Sequence, residues 1–279
     1  MIKNEWKYNI FACVLILVIL FFGFSNLKKE GFVVQWDSSY SRKDKITFLT
    51  AKQTAKFLMA DPDNYVHNFN VWDLIARHVS TEVDYRRQSA MAAIDFTENQ
   101  KNRLIKAARK ADDFFASYKS SQCVQTNDYI NISGKDIVAI PWVFALTDGN
   151  DYENGMPHTR ANVIFLSNEV DETLANLTKT LVHEKIHLYQ RLFPNQCVAY
   201  LNNKGFMQWK LRQGVPRIRS NPDLDPWIYI DTHTDKPLMA LYASDKPKNI
   251  SDIVNPFHNI HYEHPYELMA YTIEKYVKV

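Results

Sequence analysis

The stretch TLVHEKIHLYQRLFP, Thr180 to Pro194, places two histidines and a glutamate within one turn of an otherwise apolar run. Leu181, Val182, Ile186 and Leu188 surround them, so the segment reads as a partly buried helix. Residues four apart stack on one helix face, which brings His183 and His187 close enough to share one ion. Glu184 sits beside them. A packed helix whose histidines merely bond to neighbours is the plainer alternative. The position of the trio inside a convincing helix, after strand-like segments, favours a metal.

The pattern is H-E-x-x-H. Imidazole nitrogen suits the borderline-soft zinc ion, and two neutral ligands leave that ion electrophilic enough to acidify water. A carboxylate close to that water then serves as general base. His183 and His187 are therefore the candidate Zn2+ ligands and Glu184 the candidate catalytic base. A catalytic zinc generally has three protein ligands. Phe193 stands six residues after His187, which excludes the metzincin extension H-E-x-x-H-x-x-G-x-x-H. The third ligand must come from near the carboxyl end. Glu267 in HPYELMAY is preferred, because it falls in the first turn of a helix and the small Ala270 lets that helix approach closely. His261, Glu263, His264 and Glu274 stay open as alternatives. A glutamate favoured by the helix dipole alone is the plainer reading of Glu267.

Working outward, the strand signals precede the zinc helix. YINISGKDIVAIPWVFALTDGND and TRANVIFLSNEV are rich in β-branched and aromatic residues with Gly and Pro punctuation. Upstream, Thr50 with Gln53 and Thr97 with Gln100 form capping boxes before apolar-periodic runs. Residues 64–80 show the same helical periodicity. The segment 203–259 is turn-rich and reads as largely irregular. A last helix starts at Pro265, a favoured first helical position.

The amino terminus differs from the rest. Ile10 to Phe24 is uninterrupted apolar sequence flanked by lysines, and Trp6 to Leu27 gives about 20 residues, enough to span a bilayer. A cleavable signal peptide is the rival, but FFGFSNLKKE lacks a small-x-small site. The expected organisation is a transmembrane signal-anchor over 1–29, a linker over 30–45 and a domain over 46–279. That domain divides into a helical part, 46–120, and a part with strands, zinc helix and third-ligand helix, 121–279. The expected location is a single-pass membrane protein with its domain extracellular or lumenal. There Cys123 and Cys197 are a possible disulfide pair. With 33 basic and 31 acidic residues, the charge is nearly balanced, which argues against nucleic acid as partner.

HEKIHLYQR together with HPYELMAY resembles the zincin metallopeptidases of the gluzincin type, especially small bacterial and viral zincin domains with H-E-x-x-H-x-x-Q and a later proline-aromatic-Glu-x-x-Ala helix. The resemblance covers roughly twenty residues and the order of elements from Tyr129 onward. It implies an α+β, zincin-like fold, mostly helical, with a small sheet before the H-E-x-x-H helix. It implies His183, His187 and Glu267 as zinc ligands and Glu184 as base. It departs from the pattern at Tyr271, where many gluzincins carry an acid that orients a zinc histidine. The resemblance also implies an edge strand that pairs with extended peptide, expected at Val163 to Leu166. His158 and Arg160 are candidate cleft borders, with ordinary loop polarity the preferred reading of both. An oxyanion donor is needed, and Tyr271 is the choice among Tyr262, Tyr266, Tyr271, His261 and His233. The expected activity is hydrolysis of peptide bonds in a peptide or protein substrate. The alternatives are a zinc-bound scaffold that binds without turnover, and a helical interaction module in which the motif is accidental.

Overall fold

The computed structural model describes residues 46–118, 132–221, 224–257 and 263–278. From the amino end, β1 (Ile46–Phe48) leads into α1 (Ala51–Ala60), α2 (Val71–Ala76) and α3 (Glu82–Met91). Next come β2 (Ala93–Ile94), α4 (Glu98–Ser117) and α5 (Gly134–Ala139). The strands β3 (Trp142–Thr147), β4 (His158–Arg160) and β5 (Val163–Leu166) follow. Then run α6 (Leu174–Leu192), α7 (Pro194–Asn203), β6 (Phe206–Leu211) and β7 (Trp227–Asp231). The chain closes with β8 (Lys236–Leu238), β9 (Leu241–Tyr242), β10 (Ile253–Val254) and α8 (Pro265–Glu274).

The helix starts follow the capping chemistry. The Thr50 hydroxyl accepts from the Gln53 N–H and the Thr97 hydroxyl from the Gln100 N–H, each at 3.2 Å. Both glutamine side chains return a bond to the cap backbone, which satisfies a second orphan donor. Asp61 ends α1 in the left-handed region at φ 49°.

Strand β3 organises the main sheet. Its residues WVFALT are buried on both faces, as a strand needs when parallel partners are covered by helices. It runs parallel to β1 and to β5, and antiparallel to β2, while β5 continues antiparallel into β4. The order is β1-β3-β5-β4, so β4 is the outermost strand on that side. Helices α4, α6 and α8 bury Leu104, Phe115, Leu181, Ile186, Met269 and Ile273 in one core with Trp142, Phe144 and Ile164.

Two buried ion pairs tie the first helices to the strand region. Arg77 grips Glu153 through Nη2 at 2.6 Å and Nε at 2.9 Å, and Tyr85 donates to the same carboxylate at 2.5 Å. Arg160 of β4 binds Asp63 at 2.6 Å, and Asp61 as well. Burial alone would raise the Glu153 carboxyl, but the Arg77 charge and hydrogen bonds, with His158 nearby, hold it at about 2 against an ordinary 4.5. A depressed carboxylate contributes stability above its unfolded pKa and loses it as pH falls. The contribution of about 3 kcal/mol should therefore be complete at neutral pH and fade from about pH 4.5 toward pH 2. Glu153→Gln strands the buried Arg77 and is expected to cost about 3–5 kcal/mol in urea unfolding at pH 7. Equal stability of the two proteins at that pH would show the pair to be open.

The expected fold class needs correction. The chain is α+β and its main sheet precedes α6, but that sheet has five strands and two further sheets follow the helix. The part expected to be mostly helical also supplies β1 and β2. The segment expected to be irregular carries the antiparallel sheet β6-β7-β8 and the pair β9–β10. Alternating residues such as FMQWKL and WIYID form these strands, and short length hides them among turn residues. Among the described residues no helix is long and apolar enough to cross a membrane. The expected spanning helix, the linker and Cys123 lie outside the described residues. Helical sequence over 64–80 contracts to α2, and Pro194 opens α7 at its first turn as well as following α6. The strand expected at the edge, Val163 to Leu166, is β5 and lies inside the sheet. The edge is β4, because the tight turn at Ala161 and Asn162 folds the preceding three residues against it.

Candidate metal centre

Helix α6 starts at the Thr173 cap, whose side chain accepts from the Asn176 N–H at 3.2 Å. Its orientation is fixed from behind by Lys185. That buried ammonium donates to the Ile140 carbonyl at 2.7 Å, lies 3.6 Å from Asp112 and sits 3.6 Å over the Trp142 ring. With Lys185 anchored to the sheet side, residues 183, 184 and 187 turn toward the other face. Helix α8 packs across that face. Its start is held by His264, whose Nδ1 accepts from the Tyr266 N–H at 3.1 Å while Nε2 meets Asp225 at 3.1 Å.

The two helices bring His183, His187 and Glu267 together. Their candidate ligand atoms all lie within 4.8 Å of one another, so the group could hold a metal ion. Glu267 Oε2 is 3.2 Å from His183 Nε2, and Oε1 is 3.5 Å from His187 Nε2. Both imidazoles are oriented by their other nitrogen. His183 Nδ1 meets Glu274 Oε2 at 2.9 Å. His187 Nδ1 meets Gln190 Oε1 at 2.9 Å, and the Gln190 amide donates to the Tyr266 carbonyl at 3.0 Å. That second bond settles which end of Gln190 is the oxygen. Both Nδ1 atoms are therefore donors, which leaves each Nε2 facing Glu267.

The electrostatics favour a cation at this point. Burial would lower His183, yet hydrogen bonds from its ring to the Glu267 and then the Glu274 carboxylate raise it to about 10. Burial would raise Glu267, yet the charges of His187 and His183 hold it at about 2. Two imidazoles, each oriented through its Nδ1, and one carboxylate match the donor set of a three-ligand zinc site. The residues present fit the ion.

Around the group opens a cavity of about 510 Å3. Glu184 lines it and is only 3% exposed. Tyr271 lines it too, with its ring 4.7 Å from the His183 ring. Burial, and after it Glu267 and Glu274, push the Tyr271 hydroxyl up to about 12, so it remains a donor at neutral pH. Of the other third-ligand candidates, Glu263 is committed to Arg219 at 3.4 Å and Asn221 at 2.7 Å, and His264 is the helix cap. Glu274 is the acid that orients His183. His261 and Tyr262 lie outside the described residues. Of the other oxyanion candidates, neither Tyr266 nor His233 lines this cavity. His158 lines it, bonded to Met156 O and Tyr152 Oη, whereas Arg160 is turned inward to Asp61 and Asp63.

Two residues carry roles that the motif alone does not reveal. Gln190 belongs to the quoted pattern without an assigned task, and its task is to orient His187. Glu274 sits seven residues after Glu267, two turns along the same face, where Tyr271 occupies the expected position one turn away. Glu274→Ala is expected to weaken zinc binding by roughly 10- to 100-fold while leaving one ion per chain at saturation. Competition against a fluorescent chelator reads this directly, and unchanged affinity would remove Glu274 from the site.

Arg219 was not singled out from the sequence either. It brings a guanidinium to the cavity wall, and its place next to a β-bridge residue, Ile218, is set by tertiary pairing with Leu241. Compared with protein-family models, with curated proteins and with solved structures, the chain matches none, so its functional reading rests on the site itself.

Proposed function

We propose that this protein is a zinc-dependent metallopeptidase that hydrolyses peptide bonds. The observation that carries the reading is the convergence of His183, His187 and Glu267 beside a buried Glu184 in the wall of a 510 Å3 cavity. A purely structural metal site has no need of a second, base-competent carboxylate next to its three ligands. Zinc bound by the three ligands would supply a Lewis acid that polarises the substrate carbonyl.

The remaining steps belong to the chain. Glu184 takes a proton from the attacking water and passes it to the leaving nitrogen, so the products are a carboxylate and an amine. Tyr271 donates its hydroxyl proton in a hydrogen bond to the oxygen on which charge develops. Glu274 and Gln190 keep both histidines in the tautomer with Nε2 as acceptor. The outermost strand β4 borders the cavity through His158.

The test is elemental analysis of the full-length chain purified without chelator, alongside digestion of a mixed peptide library. One zinc per chain with cleavage supports the reading. One zinc without cleavage reduces it to a zinc-bound scaffold, and no zinc removes it.

A further inference from the structure

We propose that Arg219 determines specificity at this site by taking a carboxylate of the substrate, so that the enzyme cuts peptide bonds close to an acidic group. This rests on the hydrolytic reading above and names its substrate class.

Three arginines differ in how far their donors are used. Arg77 employs every guanidinium nitrogen, with Nε and Nη2 on Glu153 at 2.9 and 2.6 Å and Nη1 on the Asp73 carbonyl at 3.1 Å. Arg160 likewise spends Nε, Nη1 and Nη2 on Asp63, Tyr152 and Asp61. Arg219 employs one. Its Nη1 stands 3.4 Å from each oxygen of Glu263, longer than the about 2.7–2.9 Å of a charge-assisted bond. Its Nε is buried without a partner, and Nη2 makes no hydrogen bond among the described residues. Yet the side chain is only 16% exposed. A cation drawn that far out of water with so few bonds is costly, and an anion docked at Nη2 would offset the cost. Burial works against the charge, but Glu263, and after it Tyr242, hold the guanidinium above its ordinary pKa.

An incoming carboxylate need not displace Glu263. Arg160 shows the arrangement within the same molecule, since its Nη2 meets Asp61 at 2.5 Å and Asp63 at 2.6 Å together. Glu263 has its own anchor in the Asn221 amide at 2.7 Å. The backbone that carries Arg219 is fixed on both sides. Asn70 Nδ2 donates to the Ile218 carbonyl at 2.6 Å, and the Ser220 N–H donates to the buried Asp73 at 3.0 Å. The Arg219 N–H itself donates to the Ala240 carbonyl at 3.0 Å. The cation is thus presented with little left to order on binding. Arg219 lines the same cavity as His183, Glu184 and Glu267, so a carboxylate on it and a bond at the metal group belong to one bound segment. A cavity of about 510 Å3 holds only a short stretch of peptide, which keeps the acid near the cut. The other lysine or arginine among the described residues of its wall, Lys179, is exposed.

The experiment uses the full-length protein supplied with zinc and decapeptides that carry Glu or its uncharged match Gln, each with an amidated and with a free carboxyl end. Mass spectrometry locates the cut and gives kcat/KM. A preference for Glu over Gln of roughly 10- to 100-fold, at one fixed position from the cut bond, is expected from a charged hydrogen-bond pair. A preference of that size for the free carboxyl end, with Glu and Gln alike, would also support the proposal and assign the carboxylate to the chain terminus. The double variant Arg219→Gln/Glu263→Gln removes the cation without stranding its partner, and should abolish the preference while still cutting the Gln peptides. Arg219→Lys should retain part of the preference, and Lys179→Gln all of it. Equal kcat/KM across the whole set in the parent protein, or a preference that survives in the double variant or vanishes in Lys179→Gln, would overturn the inference and leave the peptidase reading standing. Inertness of every peptide with zinc bound would remove the peptidase reading. Fluorescence anisotropy of the labelled peptides then tests Arg219 separately: tighter binding of the acidic peptide, lost in the double variant, keeps its assignment, and equal binding removes it.

Discussion

Glu184→Gln is expected to leave one zinc ion on each chain and to lower peptide hydrolysis by roughly 10²- to 10⁴-fold. The substitution is nearly isosteric, and Glu184 is not one of the three converging ligands, so the metal group keeps its geometry. What disappears is the carboxylate proposed to carry a proton from water to the leaving nitrogen. Glutamine can still accept and donate hydrogen bonds, but it has no basic oxygen at neutral pH. Metal content and hydrolysis must be measured on the same preparation. Unaltered turnover would sink the assignment of Glu184 as base, and joint loss of zinc and turnover would make it a ligand or a structural support instead.

Glu267→Ala is expected to weaken zinc binding more than loss of an orienting partner does, beyond the roughly 100-fold upper range for such partners. Here a ligand oxygen is removed outright, and two imidazoles alone remain on α6. Among the described alternatives, Glu263 is bound to Arg219 and Asn221, His264 holds the start of α8 and Glu274 is bonded to His183 Nδ1. Glu263→Ala therefore serves as the matched control and should retain its zinc. Thermal unfolding separates ligand loss from misfolding: Glu267→Ala should resemble the chelator-treated parent protein, and zinc should no longer stabilise it. Normal zinc affinity in Glu267→Ala would move the third ligand elsewhere.

Much of this site was legible in the sequence because it is local. His183, Glu184 and His187 lie on one turn, and helical geometry alone stacks them. Glu267 could be reached because Pro265 marks a helix start and Ala270 leaves room for close packing. Glu274 as an orienting acid was not legible. Its reach to His183 depends on how α6 and α8 cross, and no spacing rule encodes that crossing. The same limit applies to the sheet. Whether Val163–Leu166 or His158–Arg160 forms the edge is a question of strand order, decided by the parallel pairing of β5 with β3. β1 is three residues long and finds β3 across nearly the whole amino-terminal half, so nothing local announces it. The capping boxes at Thr50 and Thr97, in contrast, need only their own four residues, and both formed as read.

Helix α8 carries the proposed ligand Glu267, the aromatic ring of Tyr271 and Glu274 on three successive turns, all directed at a single helix of the main body. The carboxyl-terminal segment is thus docked partly through the centre it completes. Metal occupancy and the docking of that segment are two faces of one linked equilibrium: whatever ion the site binds also tightens the chain end, by the same free energy with which the docked end tightens the ion. A protease or modifying enzyme that detached the last turns would then act as an off-switch without approaching the histidines at all.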